Sequence, residues 1–382
     1  MSFVMQVAFC LYKYFPYGGL QRDFYRIASE VYRRGHKVRV YVQKWEGDKP
    51  SIFEIIQIKT NALTNHGQGK EFVAAVHAHL KEHPVDVVVG FNKMPGLDVY
   101  YAADVCYKEK VLQQKHGVLG FLYRLTQRYK HFYQFEKATF GKGGCPHLLM
   151  ISDIERNYYA KHYDTEANRF VLLPPGVAPD RKYSEAQKVQ RQQFRASNNI
   201  ATDQVVLLQL GSDFKRKGVD RSLAAIASLP ENLRDRVVFL VVGQDKPDVF
   251  KVLAQKLGLK EPQVRFLGGR SDVPEILAAT DIFLHPAYHE NTGTVIVEAL
   301  VAGLPIIVSG ICGYAHFVKE AECGIALSEP FNQTEMNQAL EHLVSDDSYR
   351  ESCTQKAKYF ADHEDLYSMI ERAADIIEKA KQ

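Results

Sequence analysis

Short apolar runs alternate with longer amphipathic segments along the whole chain, and this alternation constrains the fold more than any other feature. The pattern is typical of a parallel sheet with crossover helices, because parallel strands are buried on both faces. The predicted strands are residues 7–12, 37–42, 53–58, 86–91, 147–151 and 170–173 in the first half, and 205–210, 237–242, 264–267, 281–285 and 305–308 in the second. We therefore expect an α/β fold.

The segment 173–180 separates the two series of strands. It holds three prolines and one glycine, which exclude both a helix and a central strand. The sequence therefore predicts two similar α/β domains, residues 1–175 and 180–362, that face each other across a cleft. The segment 363–382, with a helical pattern over 366–379, is expected to complete the first domain, although periodicity alone fits either one.

Composition limits the partners of the chain. Lys and Arg total 48 against 45 Asp and Glu, and a net charge of +3 is too small to predict a nucleic-acid-binding protein. The six cysteines are scattered without metal-binding spacing, which favours reduced thiols in the cytosol and no metal site. The N-terminus lacks the basic start of a signal peptide, and no uncharged apolar stretch approaches the ~20 residues of a spanning helix. We expect any contact with a membrane to come from one side.

A glycine pair, Gly18 and Gly19, follows the first predicted strand and precedes a helical pattern. Glycines let a phosphate or a sugar approach the backbone, and the helix start then offers N–H donors to an anion. A tight strand-to-helix turn would explain both glycines equally well. The sequence contains neither Gly-x-Gly-x-x-Gly nor Gly-x-x-x-x-Gly-Lys-Ser/Thr, which argues against a dehydrogenase or a P-loop nucleotidase.

Three consecutive cations, Lys215, Arg216 and Lys217, follow the first predicted strand of the second domain. Doubly wound α/β folds bind ligands at the carboxyl ends of their strands, and a diphosphate is the natural counter-charge for such a cluster. A solvated turn is the alternative, but the flanking Gly211 and Gly218 favour a binding loop.

Two glutamates, Glu290 and Glu298, stand eight residues apart in the segment 285–300. Along one side of a helix this spacing is roughly 12 Å. The carboxylate pairs of glycosidases are about 5–9.5 Å apart, so the spacing does not indicate hydrolysis. It suits two anchor points along an extended nucleotide-sugar, with Gly293 allowing a phosphate to approach the start of the helix.

The two glutamates, the Arg216–Lys217 pair, the Gly18–Gly19 loop and the proline-rich segment together resemble the family-4 retaining glycosyltransferases. The segments 9–16, 90–100 and 242–247 are similar to the lipopolysaccharide core glucosyltransferases within that family. The resemblance covers nearly the whole chain. It implies the GT-B fold, two Rossmann-like domains across a cleft, and transfer of a hexose from a UDP-sugar to inner-core heptose of lipopolysaccharide. UDP-glucose is the expected donor in an α-1,3-glucosyltransferase reaction, while UDP-galactose and UDP-N-acetylgalactosamine stay open.

The resemblance also implies a role for each matching residue. Glu290 contacts the hydroxyls of the donor hexose, Glu298 binds the ribose of UDP, and the Arg216–Lys217 pair holds the diphosphate. Arg270 lies where the family places the uracil, and Arg181 is a further donor candidate. The remaining predicted donor-binding residues are Gly18, Gly19, Asn291, Thr292, Gly293 and Thr294. The chain contains no Asp-x-Asp triplet, so we expect it to need no metal and no other cofactor.

Asp104 occupies a place near the sugar where many related transferases carry histidine. Its carboxylate could orient the acceptor hydroxyl, stabilise positive charge on the ring, form a transient adduct, or only cap the next helix. We expect it to join Glu290 and the cation pair in the catalytic centre, in a front-face transfer completed by closure of the two domains. Asp23 and Lys93 are predicted to place the acceptor.

The segment 107–137 holds seven basic and two acidic residues, a local charge of +5, interleaved with aromatic and aliphatic side chains. This pattern predicts a surface that lies on anionic headgroups. A buried helix pair with solvated charges and a nucleic-acid surface are the alternatives, and a membrane-embedded acceptor favours the first interpretation. The predicted membrane contacts are Lys110, Lys115, Phe121, Tyr123, Arg124, Arg128, Lys130 and Phe132. We expect a peripheral protein on the cytoplasmic face of the inner membrane, with no nucleic-acid partner.

Two other functions are compatible with parts of this pattern. A UDP-sugar epimerase or a sugar phosphorylase can share the architecture, since a fold does not determine a function. A membrane-binding protein with a vestigial nucleotide site is the other. The basic-aromatic segment argues against the first, and the complete set of charged residues argues against the second.

Overall fold

The computed structural model describes residues 4–16 and 18–381. The predicted domain ends at Met1 and Gln382, and Tyr17 beside the glycine pair, lie outside these residues. The chain divides into two compact units. The first contains the residues up to Gly176 together with those from Ser368 onward, and the second is Val177–Tyr367.

The first unit is built on one parallel sheet. Its strands are β1 (Gln6–Tyr14), β2 (Lys37–Trp45), β3 (Phe53–Gln57), β4 (Val87–Gly90), β5 (Val99–Ala102), β6 (His147–Met150) and β7 (Phe170–Leu172). Its helices up to the domain boundary are α1 (Gly19–Arg33), α2 (Asn65–Glu82), α3 (Tyr107–Gln114), α4 (Gly117–Leu125), α5 (Gln127–Phe140) and α6 (Asp153–Tyr163). The strand order is β3-β2-β1-β4-β5-β6-β7.

The second unit repeats this plan. Its strands are β8 (Val205–Leu210), β9 (Val237–Val242), β10 (Val264–Gly268), β11 (Ile282–His285), β12 (Ile306–Ser309) and β13 (Gly324–Leu327), in the order β10-β9-β8-β11-β12-β13. Its helices are α7 (Ala186–Ser197), α8 (Val219–Ala227), α9 (Glu231–Arg234), α10 (Asp248–Lys256), α11 (Val273–Ala279), α12 (Thr294–Val301), α13 (Ala315–Glu320), α14 (Gln333–Ser345) and α15 (Asp347–His363).

The last helix, α16 (Met369–Lys379), belongs to the first unit and packs on α1. Its buried side chains, among them Ile370 and Ile377, join the core formed by β1 and α1. Arg34, just after α1, lies 2.6 Å from a carboxylate oxygen of Asp375 and 3.1 Å from one of Glu378. The helical pattern at the end of the sequence is thus used to cover one face of the first sheet.

Apolar residues explain why the strands form where they do. All six residues of β8 and all six of β9 are buried, as expected for central strands with helices on both faces. In each sheet the strand order reverses next to the first strand, between β1 and β4 and between β8 and β11. Loops that leave the carboxyl ends of such strands diverge and leave a crevice for a ligand.

The prediction of an α/β fold is confirmed, and each predicted strand overlaps a strand of the structure. Two strands were missed, β5 and β13. β13 is short and begins with a glycine, which weakens its strand pattern, whereas β5 is Val-Tyr-Tyr-Ala, a strand-forming composition that the prediction overlooked. In the proline-rich segment the structure has one 3₁₀ turn, Pro179–Arg181.

Candidate active site

The predicted cations and the first glutamate meet at the point where the strand order of the second sheet reverses. Arg216 and Lys217 lie in the loop after β8, and Glu290 lies in the loop after β11, its neighbour. The Nζ atom of Lys217 is paired with Oε2 of Glu290, and Nη1 of Arg216 lies 3.0 Å from the same oxygen. Two cations therefore share one carboxylate, and Nε of Arg216 also pairs with Oδ2 of Asp213 at 2.9 Å, so that the two carboxylates balance the two cations.

The protonation of this cluster follows from its burial. Burial raises the pKa of the Glu290 carboxyl, but the His285 ring and the ammonium of Lys217 outweigh it and hold the pKa well below its usual range. Nε2 of His285 lies 3.6 Å from Oε2 of Glu290. Burial, with the charge of Lys217, lowers the pKa of His285 to about 4. At neutral pH the glutamate is therefore ionised and the histidine is neutral.

Gly218 lets the two loops approach each other. It is the N-cap of α8 at a φ of +76°, a conformation that favours glycine. A Cβ atom there would lie 2.0 Å from the carbonyl oxygen of Pro286, in the loop that carries Glu290. The backbone N–H of Tyr288 donates to the carbonyl oxygen of Arg216 at 2.8 Å. The loops after β8 and β11 therefore touch directly.

The structure corrects the expected spacing of the two glutamates. Helix α12 begins at Thr294, so Glu290 precedes it, and only Glu298 lies on the helix. The distance of roughly 12 Å along one helix side therefore does not apply. The cause is Gly293, the N-cap of α12, whose φ of +82° turns the chain between Glu290 and the helix. Glu298 is buried in the second turn.

The other residues between Glu290 and α12 lie beside the cluster. Thr292 is buried, and Asn291 and Thr294 are partly buried. Because Gly293 has no side chain, it cannot cap the first-turn N–H groups of α12, and these groups suit an anion. Phosphate binding by the stretch 290–294 stays a prediction.

Two further predicted donor residues lie in other loops of the second unit. Arg270, after β10, is partly exposed and forms a two-bond ion pair with Asp272, at 2.8 and 2.5 Å. Arg181 lies in the 3₁₀ turn, which packs against α11 and α12. Its Nε and Nη1 atoms are buried, and neither has a hydrogen-bond partner among the residues that the structure describes. Nε nevertheless lies 3.9 Å from Oδ1 of Asp180, so an anionic ligand at Arg181 would compete with this ion pair.

In the first unit the glycine pair and Asp23 lie at the start of α1. Gly18 is the N-cap of α1 and follows β1, which ends at Tyr14. Asp23 accepts a hydrogen bond from the hydroxyl of Tyr101 at 2.9 Å, and Nε of Arg22 lies 3.7 Å from its other oxygen. Asp23 is thus held in place by its neighbours and is mostly buried.

Asp104 follows β5, and its side chain is exposed. Crowding by surrounding protein raises the pKa of its carboxyl, against the opposing charge of Lys93. The alternative role as a helix cap does not hold, because the N-cap of α3 is Cys106 and the carboxylate that binds the first N–H groups of α3 is Glu136. Asp104 is therefore left available for a ligand.

The structure gives Lys93 a different place from the one predicted. Its Nζ atom lies 2.5 Å from Oε2 of Glu136 and donates to the carbonyl oxygen of Val105 at 2.8 Å. Both charged side chains are buried, at 11% and 0% exposure. Sequence reasoning placed this cation at the acceptor because it lies in a loop of the first domain that was expected to face the cleft. In the structure it forms an ion pair with the buried carboxylate of Glu136 on α5. Lys93 supports α3 and α5.

The predicted membrane surface is formed by α3, α4 and α5. On α4 the apolar side chains point outward, with Val118 and Leu119 75% and 76% exposed. The cations of the segment other than Lys108 are exposed, and Lys115 and Arg128 lie over the rings of Tyr123 and Phe132. The exposed apolar face argues against a buried helix pair. Within the described ranges no helix is long and apolar enough to cross a membrane.

Sequence reasoning missed two residues of the site. His285 was examined only for metal-ligand spacing, and Arg221 was not singled out. His285 is the last residue of β11, and a polar residue at the carboxyl end of a central strand was the available signal. Arg221 is in the first turn of α8, and its contacts come only from tertiary structure. In the described part of the chain, no three His, Cys, Asp or Glu side chains cluster as metal ligands.

Comparisons with known proteins agree with this arrangement. The family model "Glycosyltransferase Family 4" matches residues 17–181, and "Glycosyl transferases group 1" matches residues 190–360. Anabaena HepE in complex with UDP-glucose has a similar fold, with a TM-score of 0.74 at 19% identity over 98% of this chain and 100% of that one. Two Rossmann-like units with a charged cluster at the strand reversal thus define a glycosyltransferase of the GT-B class.

A closer relative narrows the family. The chain is 56% identical, over 98% of its length and 98% of the relative's, to the lipopolysaccharide glucosyltransferase WaaG of Escherichia coli. It matches a crystal structure of WaaG with a TM-score of 0.90 at 55% identity, covering 97% of this chain and 99% of that one. The chain belongs to the WaaG family of glycosyltransferases.

Proposed function

We propose that this protein transfers glucose from UDP-glucose to inner-core heptose of lipopolysaccharide, with retention at the anomeric carbon and without a metal ion. The observation that carries the proposal is the 56% identity, over nearly the full length of both chains, to a lipopolysaccharide glucosyltransferase. The charged cluster of Arg216, Lys217 and Glu290 supplies the groups that such a transfer needs.

The cation pair acts on the leaving group. As the bond between the sugar and UDP breaks, negative charge grows on the β-phosphate. Arg216 and Lys217 already point at one carboxylate oxygen, so their charge is oriented before the reaction and stabilises the leaving diphosphate. Positive side chains at this position serve the purpose that a divalent ion serves in other transferases, which supports metal independence.

The transfer itself needs no covalent enzyme intermediate. The acceptor hydroxyl oxygen forms the new bond to the anomeric carbon on the face from which UDP departs, and its proton passes to the departing phosphate oxygen. Glu290 holds the hexose hydroxyls, and Glu298 holds the ribose. Asp104, which is exposed, orients the acceptor hydroxyl, and the pKa of its carboxyl, raised by the surrounding protein, supports this role.

The surface formed by α3, α4 and α5 brings the enzyme to its acceptor. Lipopolysaccharide precursors are membrane-embedded, and apolar side chains flanked by cations suit an anionic bilayer surface. The exposed α4 residues and the exposed cations support binding at the cytoplasmic face of the inner membrane.

The activity is tested by measuring UDP release in EDTA from UDP-glucose, UDP-galactose, UDP-N-acetylglucosamine and UDP-N-acetylgalactosamine, with and without heptose-terminated core lipopolysaccharide. We expect acceptor-dependent release from UDP-glucose. Removing one oriented cation, in Arg216→Met, should lower kcat by about 100-fold to 1000-fold. Asp104→Asn should lower acceptor-dependent turnover without weakening UDP binding.

The outcomes separate the alternatives. Acceptor-dependent release of UDP from another donor would refute glucose as the transferred sugar and identify the sugar that is transferred. Loss of activity in EDTA that returns with Mg²⁺ would refute metal independence. No release from any donor by the folded protein would refute the transferase and favour an epimerase or a vestigial site.

The membrane contact is tested by co-sedimentation with phosphatidylglycerol vesicles. Leu119→Glu should weaken binding, because it places a like charge on the face that meets the lipid. Leu63→Glu is the matched control, since Leu63 is 101% exposed in the same unit but outside α3–α5. Equal binding by both variants would refute the surface.

A further inference from the structure

Arg221 lies between two aromatic rings beside the candidate active site. Its guanidinium carbon is 3.6 Å from the ring centre of Tyr288 on one side and 3.6 Å from that of Phe331 on the other. In the same position Nη1 donates to the carbonyl oxygens of Pro286 and Ala287, at 3.1 and 3.0 Å. The faces of the guanidinium group are used for stacking and one edge for hydrogen bonds.

These contacts lead to Glu290 through the backbone. Pro286 and Ala287 are the first residues after β11, and Tyr288 follows them in the loop that ends at Glu290. Arg221 itself belongs to α8, which starts just after Arg216 and Lys217. Arg221 therefore joins the segment with the cations to the segment with the carboxylate.

Further bonds at Tyr288 close the connection. Its backbone N–H donates to the carbonyl oxygen of Arg216 at 2.8 Å, and its hydroxyl donates to Asp220 at 2.7 Å. The ammonium of Lys215 lies 2.7 Å from the same Asp220 oxygen and 4.7 Å from the Tyr288 ring centre. Tyr288 is 42% exposed, so its own position depends on these bonds, whereas Pro286 and Ala287 before it are buried.

Only arginine can make this set of contacts. Its planar group can stack on both faces while its edge donates to two carbonyls, whereas lysine offers a compact charge without a face. The same loop also requires glycine at position 218, because the Pro286 carbonyl oxygen occupies the place that a Cβ atom would take there.

We propose that Arg221 is a positioning residue that holds Glu290 against Arg216 and Lys217. The donor can then place its diphosphate at the two cations and its hexose at Glu290 at the same time. It acts through the loop 286–290. The inference rests on the proposed function, because it gives Arg221 a part in donor binding and transfer.

The test compares Arg221→Lys with Arg265→Lys. Arg265 also donates to backbone carbonyls of the second unit, those of Pro262 and Asn198, but contacts neither site loop, so it controls for the general loss of such bonds. A displacement of about 1 Å at a reacting group costs about 100-fold in rate. We expect Arg221→Lys to lower kcat/KM for UDP-glucose by roughly 10-fold to 100-fold and to raise the Kd for UDP, with the KM for the acceptor unchanged.

A second pair of variants tests the stacking. Tyr288→Phe keeps the ring over Arg221 and loses only the hydroxyl bond to Asp220, so its effect should be smaller than that of Tyr288→Leu. Tyr288→Leu should resemble Arg221→Lys, because losing either partner removes the same stacked pair. Hydrogen exchange of the amides of 287–291 in the free protein should be faster in Arg221→Lys and in Tyr288→Leu than in Arg265→Lys.

Two results would overturn the inference: a UDP Kd and amide exchange in Arg221→Lys equal to those of Arg265→Lys, or an effect confined to the melting temperature. Failure of the proposed function looks different, because wild type would then release no UDP while the exchange experiment would still report on the loop.

Discussion

Replacing Lys93 by methionine should leave a buried carboxylate without its charge partner and destabilise the first unit. Glu136 has no exposed surface, and Lys93 is the cation paired with it at 2.5 Å. Methionine approximates the length of the lysine stem, so the variant removes the charge and the two hydrogen bonds of Nζ while keeping much of the apolar packing. The perturbation thus isolates the ion pair.

The size of the effect follows from what Glu136 retains. The hydroxyl of Tyr163 still donates to it at 2.6 Å, and the backbone N–H groups of Tyr107 and Lys108 at 2.8 and 3.0 Å. Breaking a buried pair from one side costs about 3–5 kcal/mol, and we expect the lower end, about 3 kcal/mol at pH 7, because these donors remain.

The loss should depend on pH in a defined direction. In wild type burial raises the pKa of Glu136, and Lys93, with further hydrogen bonds, more than offsets this and keeps the pKa below its ordinary value. Without Lys93 the pKa rises, so the folded variant binds a proton more readily than the unfolded chain. Its penalty is therefore largest at neutral pH and should shrink as the pH falls.

Trp45 provides an assay for this unit alone. It is the single tryptophan of the chain, it is buried in the first unit, and its ring stacks on Tyr14 at 4.0 Å. Urea unfolding followed by its fluorescence therefore reports on the first unit. The control is Lys93→Met combined with Glu136→Gln, which removes the uncompensated charge and should recover more than about 1 kcal/mol. A loss below about 1 kcal/mol in the single variant, or no recovery in the double, would refute the reasoning.

Three further predictions concern other parts of the molecule. Acidification should destabilise the second unit, because burial lowers the pKa of His285 to about 4 and favours its neutral form. This form contributes about 3 kcal/mol of stability, which is fully present above pH 6.5 and is lost as the pH falls toward 4. The melting temperature of His285→Asn should therefore depend less on pH in this range than that of wild type, and an equal dependence would contradict the prediction. Arg34→Met should lower the free energy of unfolding reported by Trp45 by about 1 kcal/mol, because it removes the ion pairs of Arg34 with Asp375 and Glu378 of α16. An unchanged urea midpoint would count against a stabilising role of these ion pairs. Gly218→Ala should reduce UDP release by at least about 100-fold, because its Cβ would meet the Pro286 carbonyl oxygen. Gly258 has an almost identical φ of +77° but open space around it, so Gly258→Ala should keep its activity. Similar losses in both variants would show that backbone strain alone is responsible.

Local pattern predicted the fold well where the strands are long and mainly apolar. The predicted ranges 205–210 and 237–242 coincide with β8 and β9, because a buried run of six residues with no polar side chain except Gln209 fits a central strand of a covered sheet. β13 was missed because it is short and begins with a glycine, whereas β5 was missed in spite of the strand-forming residues Val99, Tyr100 and Tyr101.

The candidate site was partly predictable for the same reason. Arg216, Lys217 and Glu290 each follow a predicted strand, and the carboxyl ends of parallel strands share one edge. Helix length was less predictable, since α12 begins only after Gly293 has turned the chain, and the spacing of Glu290 and Glu298 on one helix was wrong.

The amino-acid sequence by itself determined the alternation of strands and helices, the division near Gly176 and the loops in which charged residues cluster, because these depend on near neighbours in the chain. Only the tertiary structure decided which charges meet. Lys217 reaches Glu290 because β8 pairs with β11, Lys93 is taken up by Glu136 because α5 packs beside the start of α3, and Arg221 finds its two rings on separate loops. Side-chain partners far apart in sequence are selected by strand order and helix packing, and no local pattern encodes that choice.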